Sequence, residues 1–129
     1  MQTLAALEST LQTYLTPEQS NSVQRAYYFA EQAHFGQLRR SGEPYVTHPL
    51  AVAGILADMK LDRVSIVSGL LHDVIEDTQA VPEEVEELFG SEVLHIVSGV
   101  TKLSGLSFHS TRARQAESLR KMFLAMADD

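Results

Sequence analysis

VSIVSGLLHDVIEDT, residues 64–78, sets an apolar run directly against four titratable side chains, His72, Asp73, Glu76 and Asp77. Asp62 can cap a helix that continues through this stretch to about Asp77. On such a helix His72 and Glu76 share one face, and Asp73 and Asp77 share the next. Charges beside a core are costly unless something compensates them, and a divalent cation is the natural compensation. The plainer reading makes His72 a satisfied polar residue and the carboxylates a solvated last turn. Spacing alone leaves both open, because adjacent His-Asp pairs also arise by chance.

Upstream, His48 is the candidate third ligand, and nitrogens with a carboxylate suit Mn²⁺, Fe²⁺ or Zn²⁺ better than the oxygen-seeking Ca²⁺. It follows a basic loop, GQLRRSGEPYV at 36–46. There Arg39, Arg40 and Ser41 can offer forked donors and a hydroxyl to phosphate, or can form a solvated turn. His34 sits near the end of the preceding helix, where a cationic histidine suits the helix dipole, so a structural role is the simpler reading. His95 reads as a surface or core-edge residue and His109 as exposed. Glu83, Glu84, Glu86 and Glu87 read as a solvated helix face. Lys102, Arg112, Arg114, Arg120 and Lys121 could frame an anion, but a solubilising surface is the simpler reading.

The rest of the chain is written in helices. Leu4, Leu7, Leu11 and Leu15 recur at helical spacing. Thr16-Pro17-Glu18-Gln19 supplies an N-cap, a proline at the first helical position and a capping-box glutamine. The helix it opens carries Val23, Tyr27, Ala30 and Phe35 toward the core and stops by Gly36. Thr47 caps a helix to about Met59. Pro82 opens a short acidic helix ending at Gly90. Ser91 starts another, to about Leu103, and a polar stretch at 104–111 leads into a last helix reaching Asp129. Strand alternation is lacking, so the expected class is all-α, a helical bundle.

At 129 residues the chain has the length of one domain, and its 44% hydrophobic and 21% charged content is ordinary for a soluble protein. It has no apolar run of membrane-spanning length, and MQTLAALEST lacks the basic start of a signal peptide. A cytoplasmic location is expected. With no cysteine, any metal must be held by His, Asp, Glu or backbone oxygens. The formal charge of −7 argues against direct DNA binding, which needs a basic surface. A phosphorylated small molecule remains compatible, since one cation and a few arginines make a local positive site. GxSxG, P-loop and GxGxxG motifs are missing, so serine-nucleophile and Walker-type chemistry have no support.

Taken in order, these motifs resemble the hydrolase domain of the RelA/SpoT homologues, HD-type metal-dependent phosphohydrolases of guanosine tetra- and pentaphosphate. AYYFAEQAHFGQLRRSGEPYVTHP (26–49) is similar to that domain's opening, and GLLHDVIEDT (69–78) to its HDxxED signature. FGSEVLHIVSGVTKL (89–103) and RQAESLRKMFLAMADD (114–129) match its next two helices. The resemblance implies an HD-domain helical bundle that removes the 3′-pyrophosphate with the help of Mn²⁺. It implies His48, His72 and Asp73 as metal ligands, and Glu76 and Asp77 as an acidic pair that positions or activates water. Arg39, Arg40 and Ser41 would line the nucleotide pocket.

In the family the last helix is followed by a segment resembling LADRLHNMRT, with a final metal-ligating aspartate and a substrate-contacting asparagine; this sequence has no counterpart. The expectation is one HD-type hydrolase domain over 1–129, an N-terminal piece of a long bifunctional enzyme, with weakened metal binding and turnover. The parent would meet the ribosome or other regulators through domains outside this chain, and no membrane. Three alternatives stay open. One is a small stand-alone hydrolase, another a non-catalytic regulatory fragment of a synthetase (a GTP pyrophosphokinase). The third, an HD phosphohydrolase for another nucleotide, would share the ligands but not the RRSGEP loop.

Overall fold

The computed structural model describes residues 2–39, 42–103 and 111–127, with side chains of the last stretch from Arg114 onward. Its helices are α1 (Leu4–Leu11), α2 (Pro17–Ala33), α3 (Thr47–Asp58), α4 (Arg63–Leu71), α5 (Val74–Asp77), α6 (Pro82–Phe89), α7 (Ser91–Lys102) and α8 (Thr111–Ala127). Among the described residues the extended pairing is a single antiparallel bridge, Leu38 to Pro44. The all-α expectation holds.

Local signals set most boundaries. Thr16 Oγ1 accepts from the Gln19 amide at 3.2 Å while Gln19 Oε1 accepts from the Thr16 amide at 3.0 Å, the reciprocal box its sequence predicts. Asp62 Oδ1 accepts from the Ser65 amide at 2.9 Å to open α4. Gly90, at φ 100°, turns the chain between α6 and α7 in a conformation that favours glycine.

The core is arranged around α4. Every residue from Ser65 to Leu71 is buried, and α4 packs against α2, α3, α7 and α8. A helix without a polar face belongs in the middle of a bundle. Gly69 sets how closely α3 approaches: a Cβ there would stand 2.7 Å from Leu56 Cδ1 and 3.7 Å from Val52 Cγ1. Both neighbours are fully buried and have little room to retreat.

Three expectations are corrected. The helix from Asp62 does not run unbroken to Asp77; it breaks at His72 and Asp73. Asp73 sits at φ −102°, ψ −3°, the sparsely allowed bridge region frequent at functional sites. Thr47 is already helical, and its hydroxyl donates to the Pro44 carbonyl at 2.9 Å instead of capping. Phe35 is 84% exposed, because α2 ends at Ala33 and the helical register no longer applies to it.

Two substitutions test this packing by urea unfolding of chelator-treated protein. Gly69→Ala should lose about 1–3 kcal/mol by forcing α3 from α4. Thr16→Ala should lose about 1 kcal/mol with the cap.

Candidate metal centre

The break between α4 and α5 brings His72 and Asp73 against His48 in the first turn of α3. The Nε2 atoms of His72 and His48 lie 3.2 Å and 3.6 Å from the same oxygen, Asp73 Oδ2. All three residues are buried, and their ligand atoms fall within 4.8 Å of one another. The His72 ring is oriented by its other nitrogen, with Nδ1 2.7 Å from the Gly69 carbonyl. A proton on Nδ1 donated to that carbonyl leaves the Nε2 lone pair free, the usual device for a ligating histidine. From α8, Ser118 Oγ lies 3.2 Å from Nε2 of His48 and 3.2 Å from Nε2 of His72.

A second set of contacts reaches the same carboxylate. The Tyr45 hydroxyl lies 2.8 Å from Asp73 Oδ2 and 3.2 Å from Asp77 Oδ2. Arg114 Nη2 lies 3.4 Å from Asp73 Oδ2 and 3.8 Å from Asp77 Oδ2, and donates to the Tyr45 hydroxyl. The other face of the Tyr45 region is closed by His34, whose ring stacks on it at 4.6 Å between centroids.

These contacts bias the protonation states. Burial, with help from His72, drops His48 to about pKa 3, so it is neutral and able to ligate. Burial pushes the Asp73 carboxyl up, but the charge and hydrogen bond of His72, with the Arg114 guanidinium, outweigh it and hold Asp73 ionised. Burial pulls His72 down, yet Asp73 reverses this and leaves its pKa raised. For His72 to hold a cation through Nε2, the proton on that nitrogen would have to leave. The Asp77 carboxyl is raised by burial and by the neighbouring Asp73 charge.

Residues 26–129 match the family described as HD domain. The chain belongs to the HD domain family. Among curated proteins it is 54% identical over 123 residues to a GTP pyrophosphokinase of Myxococcus xanthus, covering 93% of this chain and 16% of that protein. It is 51% identical over 124 residues to the bifunctional (p)ppGpp synthase/hydrolase SpoT of Escherichia coli K12, covering 96% of this chain and 18% of that one. A solved structure from work on a metazoan ortholog of SpoT that hydrolyses ppGpp superposes with a TM-score of 0.62 at 30% identity, covering 87% of this chain and 67% of that chain. The RelA/SpoT resemblance of the motifs is therefore shown, and the bundle is of the HD type. The chain spans 16–18% of the length of the two curated relatives.

An HD domain implies a divalent metal, and the donors fit one. Metal–ligand bonds of about 2.0–2.2 Å put neighbouring ligand atoms roughly 3.0–3.5 Å apart, close to the 3.2 and 3.6 Å found here. Two imidazoles and a carboxylate also match the chemistry of a borderline transition metal rather than of Ca²⁺.

The HD site gathers some predicted residues and separates others. His48, His72 and Asp73 converge, and Asp77 joins Asp73 at Tyr45 and Arg114. Glu76 does not share a face with the buried His72. The helix break turns it outward into an open groove of about 850 Å³ that Asp77 also lines, with Phe29, Phe35, Gln37, Thr78 and Glu84. Arg39 donates from Nη1 to Thr47 Oγ1 at 3.1 Å, one residue before His48. Arg40 and Ser41 lie outside the described residues, as does His109. His95 is on the surface.

His34 is structural, as its position suggested, but for another reason: it is 2% exposed and burial lowers its pKa, so it is a neutral stacking partner and not a cation on the helix dipole. Arg114 is no solubilising residue, since it contacts both acidic groups of the site. Tyr45 and Ser118 were missed altogether, and only the tyrosine, three residues before His48, carried a positional hint.

The HD centre gives a stability prediction. A cation at ~100 times its Kd should stabilise the folded chain by about 2.7 kcal/mol. Thermal scans in Mn²⁺ or Zn²⁺ against chelator should show the rise for the natural sequence and none for His72→Ala. Equal Tm in both conditions for the natural sequence would remove the assignment.

Proposed function

We propose that residues 1–129 form one HD-type domain that hydrolyses the 3′-pyrophosphate of guanosine tetra- or pentaphosphate, leaving GDP or GTP, with Mn²⁺ as its metal. The observation that carries this is the convergence of His48, His72 and Asp73 beside Asp77, directly after the RRSGEP loop. The names of the curated relatives and of the metazoan structure agree with it.

His48, His72 and Asp73 would hold the cation. Bound there, it supplies Lewis acidity toward a phosphoryl oxygen and makes water at the site more acidic. Asp77 is the base. Burial and the Asp73 charge raise its carboxyl, making it a better proton acceptor than a solvated aspartate. Tyr45 holds Asp77 Oδ2 on the metal side of the helix break. Asp77 takes a proton from water as the water oxygen bonds to the phosphorus attached to the ribose 3′ oxygen. The bond from that phosphorus to the 3′ oxygen breaks, and the proton taken by Asp77 is handed on to the 3′ oxygen as pyrophosphate leaves, returning Asp77 to the carboxylate. Glu76 is the outer member of the acidic pair and orients the water from the solvent side. Arg39, braced by Thr47, presents its guanidinium to the nucleotide together with Arg40 and Ser41.

Pyrophosphate release from guanosine tetraphosphate in Mn²⁺ tests the reading. The natural chain should release pyrophosphate, Asp77→Asn should slow release by about 10²–10⁴-fold, and His72→Ala should abolish it. Unchanged release by Asp77→Asn would remove that residue as the base. No release by the Mn²⁺-loaded natural chain would leave a non-catalytic module in place of a hydrolase.

A further inference from the structure

Arg114 stands in a position that the hydrolytic scheme leaves unused. It reaches the site from the first turns of α8, and its Nη2 lies 3.4 Å from Asp73 Oδ2. That oxygen is the same atom that faces His72 Nε2 at 3.2 Å and His48 Nε2 at 3.6 Å. One carboxylate oxygen is thus acceptor for a guanidinium and also the carboxylate vertex of the cation site. The two uses oppose each other. A cation held by that oxygen and the guanidinium would be like charges side by side, and they repel.

The arginine is held through one nitrogen, Nη2, which meets Tyr45, Asp73 and Asp77, with the guanidinium carbon 5.4 Å from the centre of the Tyr45 ring. Its side chain is 38% exposed, and Nε is a buried donor with no hydrogen-bond partner among the described residues. A guanidinium has five N–H donors in a fork that matches phosphate. Among the described residues its hydrogen bonds run through Nη2, and Nε has none. A diphosphate also brings more negative charge than one divalent cation offsets, so a second cation beside the metal is chemically called for.

We propose that Arg114 is a displaceable cation, holding Asp73 until the metal binds and then turning its guanidinium to the diphosphate of the substrate. The competition with metal follows from the shared oxygen; the identity of the diphosphate rests on the hydrolase reading above.

Mn²⁺ affinity, read by electron paramagnetic resonance of the free ion, tests the first half. Arg114→Gln should bind Mn²⁺ at least about threefold tighter than the natural chain, and Arg114→Lys close to it. For the second half, Mn²⁺-loaded Arg114→Gln should bind inorganic pyrophosphate and guanosine tetraphosphate at least about tenfold more weakly. A purely structural arginine gives unchanged or weaker Mn²⁺ affinity in Arg114→Gln, and that result overturns the proposal. Pyrophosphate affinity equal to that of the natural chain overturns it too. Should Arg114→Gln fail to fold, the side-chain ¹⁵N resonance of Arg114 in the natural chain decides. It should move on adding Zn²⁺ and again on adding pyrophosphate, and a resonance unmoved by Zn²⁺ overturns the proposal. If Mn²⁺ and pyrophosphate behave as expected while guanosine tetraphosphate is not hydrolysed, the hydrolase reading fails alone. If hydrolysis is intact and Mn²⁺ affinity does not rise, only the role of Arg114 fails.

Discussion

Asp73 Oδ2 is approached by two imidazoles, a phenol hydroxyl and a guanidinium, drawn from α3, the turn after α4, the loop before α3, and α8. Burying a carboxylate is expensive unless its partners repay the lost hydration, and removing one partner leaves the charge uncompensated. Here the partners prevail, since Asp73 stays ionised despite its burial. The bundle follows from that requirement. Gly69 lets α3 close on α4 so that His48 reaches the oxygen. Gly99 does the same between α7 and α8, where its Cβ would meet that of Ala125 at 3.0 Å, bringing Ser118 and Arg114 within reach.

What the sequence made legible was mostly what short-range chemistry decides. The Thr16 box, the Asp62 cap and the Gly90 turn each depend on residues within a few positions, and all appear where the letters place them. The all-helical class followed from periodicity. The break at His72–Asp73 was not legible, because no proline or glycine marks it. It is imposed by contacts from elsewhere, including the ring of His72 on the Gly69 carbonyl and the pull of His48, Tyr45 and Arg114 on Asp73.

The site shows the same division. His48, His72 and Asp73 could be chosen from residue type and motif, and so could Asp77. Glu76 was placed with His72 by helical spacing and is separated from it by the break. Arg114 and Ser118 are 41 and 45 residues from Asp73 along the chain, and nothing near either one announces an inward-facing role. An arginine and a serine on an amphipathic helix look alike whether they meet solvent or a metal site until the helix has been docked.

The wide spacing of the ligands has a kinetic meaning. His48 is separated by 24 residues from His72, and their nitrogens meet only after α3 has packed on α4. Contacts between distant parts of a chain tend to be completed late in folding. A cation that needs both finds no competent site in a partly folded chain, so its binding adds little to the speed of folding. It acts instead on the escape rate, since interactions missing from the transition state slow unfolding. The helix break at His72–Asp73 therefore works as a latch, and the lifetime of the folded bundle becomes a function of metal supply.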